Sequence, residues 1–295
     1  MKPLPRFDAR RPLGATGFAA SRVGLGDLAD RSLPLEACAA LLRRGLDAGL
    51  NVVDTAPAYE DGFSEEVVGR ALRGRREGVF LIDKVDHLDR PVAPQVDGSL
   101  RRLELPAVDL LVFHGVSTAA DWAALTVPGG PFDELEEEVR AGRARFRGIS
   151  SHHPAVLAAA LDSGRCDALM FPVGPFADSR YETEILPRAK ALGVGTITFK
   201  AFGAGMLLGD TSGYGRPLPE GGPPRPRLSV AACLRYTLSQ DPDVALLGLS
   251  TAAEQDAAFA ALEDLAPLSP SEQAELRREA ARAIAGKGPV WWNPA

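Results

Sequence analysis

The sequence predicts a parallel (β/α)8 barrel of the TIM type, and two observations carry that expectation. Short apolar runs alternate eight times with segments of helical apolar spacing, without a break in composition between them. Four ionisable residues, Asp54, Tyr59, Lys84 and His114, stand at or just past the downstream ends of such runs. Parallel strands covered on both faces read as unbroken apolar runs. In a barrel their C-terminal ends converge on one mouth, where the chemistry is placed.

The elements follow in order. Arg11 to Gly17 and the run after Ser21 predict a small β-hairpin ahead of the barrel, turning at Gly17 and Phe18. Val23 to Gly26 reads as the first barrel strand and Leu35 to Ala48 as its helix, stopped before Gly49. Asn51 to Asp54 is the second strand. Ser64, with Glu65 and Glu66 behind it, is expected to cap a helix through Leu72, because a serine oxygen accepts free amide protons and acids suit the positive helix end. Val79 to Lys84 and Val108 to His114 are the third and fourth strands, with a helix near 91–104 between them. A helix near 133–141 leads into the fifth strand, Arg145 to Ser150. His153 to Gly164, Ala168 to Pro172, Tyr181 to Leu192 and Gly195 to Lys200 continue the rhythm. Leu228 to Ser239, Val244 to Gly248 and Ala252 to Leu265 complete it. Ser269 and Pro270 open one extra C-terminal helix, proline being tolerated in a first turn, and a tail follows. One domain over 1–295 is expected, since barrels of about 250 residues are commonly single domains.

One stretch departs from the rhythm. Gly203 to Arg227 is dense in glycine and proline, including Pro217, Pro219, Gly221, Gly222, Pro223 and Pro224. So long a loop in a packed domain is a lid, a binding loop or a solvated insertion. Loops after the seventh and eighth barrel strands often hold phosphate, and Arg216, Arg225 and Arg227 are candidates to pair with one.

Composition narrows the function classes. Thirty-three basic against 39 acidic residues give a net charge of −6, and no basic block stands out. That argues against nucleic acid or a membrane surface as partner. The first residues lack an apolar signal core, and no run reaches the roughly 18 apolar residues of a membrane span, so a cytoplasmic protein is expected. Cys38, Cys166 and Cys233 are odd in number and widely spaced, which suggests buried thiols rather than disulfides or a metal site. His152 and His153 lack a carboxylate or cysteine spaced to complete a metal site and read as residues of a helix start.

The four ionisable residues suit proton transfer to a carbonyl. A phenol gives up its proton reluctantly, with an ordinary pKa near 10, and an adjacent ammonium favours the phenolate. Lys84 is expected to lower Tyr59 in that way, with Asp54 holding the lysine charged and aimed. His114 is placed to donate to the oxygen that Tyr59 protonates. Trp122, Trp291 and Trp292 are candidates for apolar walls of a substrate pocket, or for packing on the barrel exterior.

These motifs resemble the aldo-keto reductase superfamily over nearly the whole chain. The stretch from Leu13 to Gly26 is similar to the family's opening hairpin and first strand. Gly49 to Tyr59, running into Ser64 to Gly69, is similar to its most diagnostic segment, and Asp109 to His114 and Gly142 to Ser150 match two more. The resemblance implies that Asp54, Tyr59, Lys84 and His114 form a catalytic tetrad. It also implies NADPH lying extended across the mouth and passing hydride to a small-molecule carbonyl, with Tyr59 as general acid; NADH is the alternative. Ser150 and Ser151 are implied to hold the nicotinamide carboxamide. Phe171 stands near the family's usual glutamine, and Phe199 is implied to stack on the ring. Lys200, Gly203 and Gly205 would line the pyrophosphate channel. Gly248, Ser250, Thr251, Glu254 and Gln255 would hold the 2′-phosphate and adenine. The chain departs from the family at Ala257 and Ala258, where a Glu-Asn pair is usual, and at Asp27, often threonine. Two other readings use the same residues: a cofactor-sensing or partner-binding barrel with little turnover, and a non-redox lyase or isomerase using Tyr59 and Lys84.

Overall fold

Eight parallel strands close on themselves in the computed structural model, which describes residues 4–216, 218, 225–263 and 265–294. They are β3 (Val23–Leu25), β4 (Val52–Asp54), β5 (Phe80–Val85), β6 (Val108–Phe113), β7 (Ala144–Ser150), β8 (Ala168–Pro172), β9 (Gly195–Phe199) and β10 (Val244–Leu247). Each pairs with the next, and Ala245 opposite Val23 closes the ring. Ahead of them, β1 (Arg11–Pro12) and β2 (Ala19–Ala20) form the predicted hairpin around a 3-10 turn at Gly14–Thr16. Its second arm is Ala19–Ala20 rather than the run after Ser21, which already belongs to β3.

Around the barrel run α1 (Leu35–Asp47), α2 (Phe63–Leu72), α3 (Val92–Leu103), α4 (Ala119–Leu125), α5 (Pro131–Arg140), α6 (Pro154–Ser163), α7 (Leu186–Ala191), α8 (Val230–Ser239) and α9 (Ala252–Glu263). The expected extra helix is α10 (Pro270–Ile284), opened by a capping box between Ser269 and Glu272. Helix α4 was not predicted. Thr118 and Asp121 build a capping box for it, a signal legible at that spacing. Ser64, by contrast, is no cap: it lies inside α2, fully buried, and its hydroxyl accepts from Thr55.

Strand alternation sorts the core into two shells. Val52, Phe80, Ile82, Leu110, Val112, Met170, Ile197 and Val244 point inward, and Leu13, Phe18 and Ala20 of the hairpin plug that interior from below. Phe80 is the keystone, with Phe18 and Phe146 at 5.1 and 6.1 Å. Its truncation to alanine is expected to cost about 3–5 kcal/mol. Val53, Leu81, Val85, Leu111 and Phe113 point outward against the helices. With the lower interior filled, Asp54 and Lys84, next on the inward face, come to the mouth.

Gly148 permits close strand approach, since a Cβ there would meet the Ala168 carbonyl at 2.0 Å. The three cysteines are buried and free, and burial pushes the Cys166 and Cys233 thiols up to about 12. No helix among the described residues is long and apolar enough to cross a membrane.

Candidate active site

The tetrad assembles at the C-terminal ends of β4, β5 and β6. Lys84 and Asp54 are 2% and 5% exposed. The Lys84 ammonium donates to Asp54 Oδ1 at 2.6 Å and to the Thr55 carbonyl at 2.7 Å. It lies 4.5 Å from the centre of the Tyr59 ring, which leaves its third N–H for the phenol side. Burial alone would lower this ammonium, but Asp54 and then Tyr59 hold it above its ordinary value. Burial likewise works against the charge on Asp54, with Lys84 as the main counterweight.

Tyr59 arrives on a tight turn, Tyr59–Gly62, whose Glu60 and Asp61 take left-handed φ of 50° and 51°. Residues other than glycine seldom adopt that region. Arg31 donates to both their carbonyls and holds the turn. Burial raises the phenol above its ordinary value, and Lys84 pulls the other way. The net direction is upward, which corrects the expectation of a phenol acidified below its usual range.

The His114 ring meets Tyr59 edge-on, with centroids 5.6 Å apart. Its Nδ1 is hydrogen-bonded to Asp86 Oδ1, and Asp86 Oδ2 accepts the Ala58 N–H on the Tyr59 loop. The sequence reading missed Asp86. The available signal was alternation: residue 86 follows Lys84 by two, on the same side of the strand direction. The same rule sends Asp83 outward. It is buried with both carboxyl oxygens unpartnered, beneath α2, where Glu65 bonds Arg102. Burial, then the charge of Glu65, push Asp83 up.

The β7–β10 side is organised differently. Ser150 faces the mouth and its Oγ accepts from Gly115 N at 2.9 Å. Ser151 is fully buried and its Oγ accepts from His153 N, serving the first turn of α6. Phe199 stands at the rim with the His152 ring edge-on at 5.3 Å. Burial lowers His152 to about 4, so its ring is neutral, and its Nε2 is buried without a partner. Lys200 is ringed by Tyr214, Phe199, Trp291 and Trp292, with its Nζ at 4.6, 5.7, 5.7 and 5.8 Å from their centroids. The Tyr214 hydroxyl is its hydrogen-bond partner, and no carboxylate pairs with it among the described residues. Burial lowers the Lys200 ammonium to about 8. Gly203 and Gly205, at φ 55° and 87°, carry the chain away from it.

Several expected site residues sit away from the tetrad. Phe171 points outward from β8, fully buried and stacked on Tyr181, because odd positions of this strand face the helices. Gln255 is fully buried and clamps α9 to α1 through Arg44 and the Leu41 carbonyl. Thr251 and Glu254 satisfy each other in a capping box at the start of α9, on an exposed edge beyond Gly248 and Ser250. Trp122 packs edge-on against Phe132 under α4 and α5 rather than lining the mouth. Trp292 is fully buried, its carbonyl accepting from Tyr181, and only Trp291 reaches solvent at the rim, 42% exposed. Of the loop arginines, Arg227 pairs with Asp210 and Arg216 donates to the Gly213 carbonyl. Pro217, Pro219 and the run 220–224 lie outside the described residues.

A buried lysine between an aspartate and a tyrosine thus sits at the mouth of a parallel barrel. The profile of the aldo/keto reductase family matches residues 22–225. The chain belongs to that family. An aldo-keto reductase from Bacillus subtilis (strain 168) is 30% identical over 220 residues, covering 66% of this chain and 62% of the relative's own length. Among solved structures, an aldo-keto reductase from Bacillus halodurans in its holo form is 26% identical with a TM-score of 0.70, covering 94% of this chain and 98% of that one. An aldo/keto reductase from Klebsiella pneumoniae in complex with NADP and acetate is 25% identical with a TM-score of 0.65, covering 88% and 91%.

Proposed function

We propose that this family member is an oxidoreductase using a nicotinamide dinucleotide to reduce an aldehyde or ketone to an alcohol. The observation that carries the reading is the buried Lys84 ammonium, bonded to Asp54 and Thr55 and set 4.5 Å from the Tyr59 ring centre. Tyr59 gives its proton to the carbonyl oxygen. Lys84 stabilises the phenolate left behind, and Asp54 keeps Lys84 charged and in place. His114 holds the same oxygen from the other side. The dinucleotide, when bound, supplies the hydride to the carbonyl carbon.

Support for a dinucleotide comes from the other half of the mouth. Among the described residues Lys200 is a cation bonded only to a neutral hydroxyl, suited to a pyrophosphate, and Gly203 and Gly205 let the backbone approach it. Ser150 and Phe199 are proposed to place the nicotinamide. Gly248, Ser250 and Thr251 are proposed to line the adenylate edge. NADPH is the form we propose, in keeping with the NADP-bound Klebsiella pneumoniae structure. NADH is the competitor, because 248–258 holds no basic residue and Glu254 caps α9 there. Trp291 is proposed as a wall for a small carbonyl compound. The proposal takes 1–295 as one domain acting in the cytoplasm.

The test is consumption of NADPH and of NADH against a panel of aldehydes and ketones, with Tyr59→Phe as control. Turnover that depends on Tyr59 supports the reading. Tight dinucleotide binding without turnover would favour a sensing role, and turnover without any nicotinamide would favour lyase or isomerase chemistry.

A further inference from the structure

We propose that Asp86 is a positioning residue for the tetrad: it fixes the tautomer of His114 and ties that ring to the loop carrying Tyr59. The inference rests on the proposed function only for its kinetic consequences; the tautomer can be read without turnover.

The geometry is specific. A carboxylate only accepts hydrogen bonds, so the Nδ1 of His114 that meets Asp86 Oδ1 carries a proton. The second oxygen takes the backbone N–H of Ala58, one residue before Tyr59. One carboxylate therefore grips two loops that deliver two different members of the tetrad. Nε2, on the far side of the imidazole, makes no protein hydrogen bond among the described residues. With Nδ1 protonated, a neutral ring offers only a lone pair at Nε2. It donates to a carbonyl oxygen only as an imidazolium. In the reverse direction the neutral ring receives a hydrogen bond from the substrate alcohol instead. Asp86 thus makes His114 a donor for reduction and an acceptor for oxidation, set by its charge, while Tyr59 carries the transferred proton.

The other ionisable groups near His114 are Tyr59, whose ring it touches, and Asp54 and His152, which feel its charge. Lys84 sits beyond Tyr59. None of these replaces Asp86 at Nδ1.

Nitrogen-15 NMR of histidine-labelled protein tests the assignment directly. The chain has 4 histidines, and His114→Gln identifies the signal. A ring protonated at Nδ1 is expected; a neutral ring protonated at Nε2 overturns the proposal. Kinetics give the second arm. Asp86→Asn is expected to lower kcat/KM for reduction about ten- to hundredfold, as lost support of a functional histidine does elsewhere. Dinucleotide affinity should stay within about twofold, and Asp86→Glu should restore part of the loss. Full kcat/KM in Asp86→Asn would overturn the kinetic role. A wild type with no turnover would sink the proposed function and leave the NMR result to decide on Asp86.

Discussion

On the β4–β6 side of the mouth Lys84, His114 and the Tyr59 turn each have a polar or charged protein partner, whereas on the β9 side the half-buried Lys200 leans on aromatic rings and a hydroxyl. Lys84 has Asp54 and Thr55; His114 has Asp86; the Tyr59 turn has Arg31. Among the described residues Lys200 has only Tyr214 and the faces of its ring neighbours. The first half is preorganised, so its groups need no rearrangement when charge develops. The second half is self-satisfied by weak contacts that an anion can displace. A mouth so divided suits an acid held ready beside a site that fills and empties.

Breaking the paired half should have the largest effect. Lys84→Met strands the buried Asp54 carboxylate, and a loss of about 3–5 kcal/mol in urea unfolding is expected, together with about a thousandfold loss in turnover. Adding Asp54→Asn should return much of the stability and none of the activity. If the single variant is as stable as wild type, the pairing described here is wrong.

A smaller effect separates the mouth from the layer behind it. Asp83 is raised by burial and by Glu65, so the fold holds it neutral where the unfolded chain would ionise it. Its stabilisation is full below the ordinary carboxylate range, about pH 4, and declines as pH rises toward its raised value. Asp83→Asn should flatten that decline between pH 5 and pH 8. At pH 8 the variant should be the more stable of the two, because an amide has no proton to take up on folding. Equal slopes for the two proteins would contradict the assignment.

The open half gives the smallest changes, and they should fall on binding alone. Lys200→Met is expected to weaken dinucleotide binding about ten- to hundredfold, the loss of one charge-assisted contact. Tyr214→Phe is expected to tighten it by about two- to tenfold, because a competing hydroxyl is gone. Wild-type affinity should fall as pH climbs through about 8, where Lys200 loses its proton. Calorimetry across pH 6.5 to 9.5 measures all three. Affinity indifferent to pH and to Lys200 would move the anion site elsewhere.

The same division governed what the sequence disclosed. Asp54, Lys84 and His114 end apolar runs, and period-two alternation sends side chains to one face, so their convergence follows from strand direction alone. Tyr59 joined them through a five-residue step into a loop. Asp86 obeyed the alternation too but lay past the run that drew attention to Lys84. Phe171 and Gln255 were placed by resemblance, and burial moved both: one faces the helices from β8, the other locks α9 to α1. Trp122 and Trp292 were ambiguous because tryptophan serves cores and pockets alike. The ring cage of Lys200 depends on left-handed backbone at Lys200, Ala204 and Tyr214, which residue types do not announce.

Proton donation by Tyr59 is the claim on which the rest stands, and single-turnover hydride transfer examines it most directly. Enzyme preloaded with NADPH is mixed with excess reactive aldehyde, and the decay of reduced-nicotinamide absorbance is followed for wild type and Tyr59→Phe. The expected result is a rate at least about a thousandfold lower in the variant, with NADPH affinity unchanged. A variant that transfers hydride at the wild-type rate would contradict the account.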